Sequence, residues 1–153
     1  MAASDHLHPG QLQMFMRPQE ILDSTTGSIE SGPHVLANGQ PGRTKQHMAM
    51  KLQEASEGED PYVYSEEKGK WEGQGPSLVD DVKAHGVEKP IILSDTGPNG
   101  MRHGSWIGNG HHRLAAAMQA EKDTGRQQYI PVIHDRHYMG TQDTINTFGV
   151  PDF

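Results

Sequence analysis

The segment 106–117 reads Trp-Ile-Gly-Asn-Gly-His-His-Arg-Leu-Ala-Ala-Ala, and it constrains the fold more than any other stretch. Two apolar residues end at a glycine-bounded turn. A breaker-free, alanine-rich run over 112–122 follows, so a strand must hand over to a helix within a few residues. Glycine lets the backbone bend sharply, and a helix start directs its first N–H groups, with partial positive charge, toward whatever lies in front of it. Arg113 in the first turn adds a bidentate fork, and a phosphate fits such a place. His111 and His112 add donors that become cationic as pH falls toward about 6.5. Strand-to-helix turns also carry glycine for packing alone, so the motif depends on its context.

That context is regular. Ser77, followed three residues later by Asp80, predicts a cap for a helix over 77–85, with Leu78, Val79 and Val82 as its apolar face and Gly86 as its stop. Residues 90–93 (Pro-Ile-Ile-Leu) predict a buried strand and 105–107 a second one. The turn cluster at 95–100 joins them as a hairpin. After the 112–122 helix, 129–133 predicts a strand whose Pro131 points to an edge or a terminal position.

The rest is less periodic. Of 153 residues, 18 are Gly and 10 are Pro, and hydrophobic residues make up 33%, so part of the chain is loop rather than core. The length suits one domain. Residues 1–43 read as an irregular arm with an apolar knot (Leu12, Met14, Phe15, Met16) and one helical turn at 18–22, lying over a core made elsewhere. A helix is predicted over 44–55, with Met48, Leu52 and Ala55 on one face. Residues 56–75 read as an acidic loop or insertion anchored by Tyr62, Tyr64 and Trp71. The organisation expected is therefore an arm (1–43), a domain (44–138) carrying the insertion, and a turn-rich tail (139–153) to which no chemistry is assigned.

Lys+Arg 13 against Asp+Glu 20 gives a formal charge of −7, which disfavours long-range attraction to a phosphate polymer. Across 76–134 the charges balance, six basic against six acidic, so a nucleic-acid contact has to be a local patch. Absence of cysteine removes disulfides, thiolate metal sites and cysteine nucleophiles. No stretch approaches the roughly 20 apolar residues of a membrane span, and residues 1–10 lack a signal-peptide pattern, so a soluble cytoplasmic protein with no membrane partner is the expectation.

The order and residues of 77–134 resemble the ParB/sulfiredoxin superfamily, whose members include ParB-like nuclease domains. Residues 78–93 are similar to its "SI…G…PI.V" passage. Residues 106–117 are similar to its "I..G.hR..AA" signature, and 130–133 to the "VPV" strand that follows. Arg43, ahead of the 44–55 helix, is a weaker match to an early arginine. The resemblance implies an α+β (α/β) fold with a small mixed sheet. It also implies a phosphate-binding turn made of Gly108, Asn109, Gly110, His111, His112 and Arg113, with Arg43 as a further contact, holding a nucleotide or a DNA backbone. If the domain hydrolyses phosphoesters, His112 and His111 are the catalytic candidates, and a divalent ion such as Mg²⁺ is implied. Two departures stand out: His111 replaces the cysteine of a sulfiredoxin-like turn, and no Glu-Asn-x-x-Arg element or DNA-reading helix-turn-helix follows residue 133.

Other residues have plainer readings. His134 and His137 have a metal-ligand spacing without a third ligand, and His103, His111, His112 and His134 form the one histidine set worth testing for metal. Asp80 and Asp81 point about 100° apart on a helix, so a cap and a solvated charge suit them better than paired metal ligands. The alternative function is a non-catalytic, phage-type interaction protein, in the host cytoplasm or the virion, binding a protein partner or its own copy through the arm and tail.

Overall fold

The computed structural model describes residues 7, 10–29, 32–42, 44–95 and 104–136, with backbone alone at 44–46, 60 and 61. Apolar knot and proline-started turn become β1 (Gln11–Met16) and α1 (Pro18–Ser24), in which Pro18 and Ile21 are buried. Two-residue strands β2 (Gly27–Ser28) and β3 (Gly32–Pro33) follow. Helix α2 (Thr44–Glu57) leads into β4 (Glu59–Ser65) and β5 (Lys70–Gln74). Then come α3 (Leu78–His85), β6 (Ile91–Ser94), β7 (Trp106–Asn109), α4 (His111–Thr124) and β8 (Ile130–Asp135).

The architecture is mixed α+β: among the described residues, four helices, a six-stranded mixed sheet ordered β1-β8-β6-β7-β2-β3, and a two-stranded sheet β4-β5. Strands β6 and β7 pair antiparallel, as the hairpin reading predicts, although 96–103 of their connection lies outside the described residues. Strand β8 is parallel to β6 and antiparallel to β1, so it is an interior strand. Its Pro131 is tolerated because it precedes the first β6 pairing, Ile91 with Val132, which is the terminal of the two positions expected.

Two sequence expectations are corrected. The arm does more than lie over the core, where Ile21, Leu7 and Ile29 pack; it also completes the sheet, β1 forming one border and β2 with β3 the other, β2 running parallel to β7. Alternating apolar residues in 11–16 fit a half-covered strand, a pattern masked by the turn clusters around it. Of the two readings of the acidic stretch 56–75, the loop is corrected: 56 and 57 end α2, and β4 and β5 form a hairpin with Tyr64 opposite Trp71 and Val63 opposite Glu72. Aromatic and β-branched residues at cross-strand positions outweigh its charge.

The core lies between one sheet face and the helices. Ile91 and Leu93 of β6, Ile107 of β7, and Ile130 and Val132 of β8 meet Val79 and Val82 of α3 and Leu114, Ala117 and Ala120 of α4. Small alanines let α4 approach the sheet closely. On the opposite face Ile92 and Ile133 form a smaller cluster beneath Leu7 and Ile29. No helix is long and apolar enough to cross a membrane, among the described residues.

Candidate functional site at the start of helix α4

Strand β7 delivers the chain to Gly110, whose φ of +105° is open to glycine and costly for other residues. A Cβ there would also sit 2.8 Å from Ile91 Cγ1 and 3.1 Å from Ile91 Cα. Both reasons make Gly110 the pivot that turns the strand into α4, and Leu114 N closes the first helical hydrogen bond on Gly110 O at 2.9 Å. This 14-residue helix therefore begins against the sheet with its positive end at residues 111–113.

The three side chains of that first turn diverge, as 100° steps require. His111 is 5% exposed, and its Nε2 lies 2.7 Å from Ser28 Oγ of β2, with the His47 ring edge-on at 5.4 Å. His112 points to α2 and the hairpin, where its Nε2 donates to Glu54 Oε1 at 2.9 Å and its ring stacks on Tyr62 at 3.9 Å. Arg113 Nη2 donates to Pro90 O at 3.0 Å. Its guanidinium borders a cleft of about 310 Å³ that also holds Glu59, Asp81, Glu88 and Lys89. Three carboxylates against two cations make that cleft a poor phosphate seat. Gly108 and Asn109 end β7 half-buried, and Arg43 lies outside the described residues.

Glu54 organises the His112 side. It is 2% exposed; Oε1 also faces Lys51 Nζ at 3.7 Å, and Oε2 accepts Trp71 N at 2.8 Å. Lys51, equally buried, lies 5.6 Å from the centre of the Trp71 ring. A carboxylate thus joins a lysine, an imidazole and a backbone amide from three elements. Because a carboxylate only accepts, His112 carries its proton on Nε2, and in the neutral ring the basic nitrogen is Nδ1. With 16% of its side chain exposed, His112 is partly reachable, which a base needs.

Sequence reasoning missed Lys51, Glu54, His47 and Ser28 and gave Tyr62 only an anchoring part in 56–75. One signal was available: His47, Lys51 and Glu54 repeat at four and three residues on α2. That stripe is polar, and the apolar face of Met48, Leu52 and Ala55 competes with it for the buried side of the helix. In the structure Lys51, Glu54 and Ala55 are buried, while Met48 and Leu52 are half-buried.

The histidine set proposed for metal does not assemble among the described residues: His111 goes to Ser28, His112 to Glu54, and His134 to Asp95. His134 Nε2 and Asp95 Oδ1 are 2.6 Å apart, without a hydrogen bond at that nitrogen. His103 and His137 lie outside the described residues. The residues at the turn do not fit a divalent ion. Glu54 is the carboxylate there, and both its oxygens already face donors. Asp80 and Asp81 lie in the first turn of α3, where Ser77 is the cap and accepts Asp80 N at 3.3 Å, and Asp81 faces His85 at 3.2 Å.

Comparison with protein-family models, with curated proteins and with solved structures finds no match.

Proposed function

We propose that the chain is a ParB/sulfiredoxin-like domain that recognises phosphate groups, of a nucleotide or a nucleic-acid backbone, at the start of α4. The observation that carries this reading is the placement of His112: at the positive end of a long helix, oriented by the buried Glu54, with Lys51 on the same carboxylate oxygen. An anion arriving there meets a helix terminus and a protonatable ring. The acidic hairpin argues for a single small phosphate ligand over a long polyanion.

Hydrolysis of a phosphoester or phosphoanhydride is the reaction that suits this arrangement. In such a step His112 Nδ1 takes a proton from a water whose oxygen bonds to phosphorus while the P–O bond to the leaving alcohol or phosphate oxygen breaks, Glu54 stabilises the imidazolium through Nε2–H, and the imidazolium then passes its proton to the leaving oxygen or to solvent. No step is routed through a metal, because the donor set does not fit one.

A second reading rests on a specific observation. His111 is buried under β2, and Arg113 holds Pro90 O, so two of the three side chains of the turn serve the architecture. A non-catalytic interaction protein that keeps the fold has the same features. Calorimetric titration of ATP, CTP and a short DNA, with and without Mg²⁺, against wild type, His112→Gln and Arg113→Ala separates the two. Phosphate recognition requires binding to the wild type that weakens in His112→Gln. If hydrolysis accompanies it, His112→Gln slows turnover by roughly 10²–10⁴-fold. An absence of binding to all three proteins leaves the interaction reading.

A further inference from the structure

Away from the α4 start, a cavity of about 540 Å³ opens between α1, α2 and α4. Its volume lies within the roughly 300–1,000 Å³ of small-molecule pockets. Leu22 of α1, Met48 and Leu52 of α2, and Ala115 and Met118 of α4 supply mostly hydrocarbon walls. Water gains little in such a space, and two unbranched thioethers adapt to the shape of an occupant.

The polar groups narrow the class of ligand. On α4 the lining positions 115, 118, 119 and 122 form one stripe about 10 Å long that ends at the exposed Lys122. Gln119 Nε2 is engaged with Asp123 Oδ1 at 2.7 Å. Thr25 Oγ1 donates to Ile21 O at 2.8 Å, so it presents a lone pair to His34 Nε2 at 2.9 Å and places the ring proton there. Burial holds the His34 pKa below its ordinary value, so the ring is neutral at pH 7. Lys122 is then the one charge among the described lining residues. A sugar or polyphosphate would strand its polar groups against these walls, and a cation would meet like charge at the rim.

We propose that this cavity binds an amphipathic monoanion, a medium-chain carboxylate, with its hydrocarbon body between Met48, Leu52 and Met118 and its carboxylate at Lys122. The site is independent of the phosphate reading, because none of its lining residues belongs to the α4 start.

The test is calorimetry and thermal unfolding of the full chain with decanoate, decan-1-ol and decyltrimethylammonium, each below its micelle threshold. Decanoate binds and raises Tm. Decanol binds about fivefold more weakly, the worth of one exposed ion pair, and the cation more weakly still. Lys122→Ala brings decanoate to the level of decanol. Met118→Trp fills the cavity and weakens decanoate by tenfold or more; if that variant does not fold, Ala49→Trp at the exposed rim of α2 closes the mouth to the same effect. Equal binding of all three amphiphiles, decanoate affinity unchanged in the folded cavity-closing variants, or no binding at all overturns the proposal.

Discussion

Glu54 and Lys51 are charges placed where charge is expensive, each 2% exposed. Removing two ions from water is costly, and what offsets it here is convergence: the carboxylate meets lysine, imidazole and amide together. Loss of one partner leaves the other buried without its counter-charge. Lys51→Met is therefore expected to destabilise the fold by about 3–5 kcal/mol in urea denaturation, and the double variant Lys51→Met/Glu54→Gln, which removes the second charge but keeps an acceptor for Trp71 N and His112, to recover part of that loss. Single-variant costs of Lys51→Met and Glu54→Gln that simply add in the double variant would show that the pair is not coupled. At Gly110 the constraint is conformational. Gly110→Ala imposes a left-handed backbone on a residue with a Cβ facing Ile91, and about 1–3 kcal/mol of stability should disappear, read by the same denaturation.

Elements hold the site through their ends. Ser77 receives Asp80 N at 3.3 Å, capping α3, and donates to Ala55 O at 3.2 Å, which ties α3 to the last turn of α2 and hence to Glu54. Ser77→Ala is expected to lower stability by about 1 kcal/mol in chemical denaturation while leaving the far-UV circular dichroism intact. This cap, α3 itself, the β6–β7 hairpin, Gly110 and α4 were all legible in the sequence, because each has a local signal: a capping serine, an apolar run, a turn cluster, a helix-forming stretch. What escaped was set by partners distant in the chain. Strand β1 exists because β8 pairs with it, 114 or more residues on, and Lys51 and Glu54 of α2 are buried because a histidine from α4 and an amide from β5 meet the carboxylate. No window of neighbouring residues contains those partners. The divergence of His111, His112 and Arg113 follows from helical spacing alone, since 100° steps send three residues contiguous in the chain in three directions.

At the scale of the molecule, the arm and the helices share a titratable joint at His34. Its pKa is lowered by burial, so the folded state resists the proton that the unfolded chain accepts. Between the folded value and the ordinary value near 6.5 the unfolded state binds more protons, and stability rises with pH through that window. The contribution is complete above the ordinary value and is lost as pH falls below it. Tm measured from pH 8 to pH 5 should therefore drop more steeply for wild type than for His34→Gln; parallel curves would remove His34 as the cause. The arm has a larger role than this one contact. By supplying β1 at one border of the sheet and β2 with β3 at the other, it stands between β8-β6-β7 and any foreign strand. A protease cut after residue 43 that released the arm would leave two raw hydrogen-bonding margins on a single remnant, and such a remnant can recruit its own kind from both sides and grow into a fibre rather than stop at a pair.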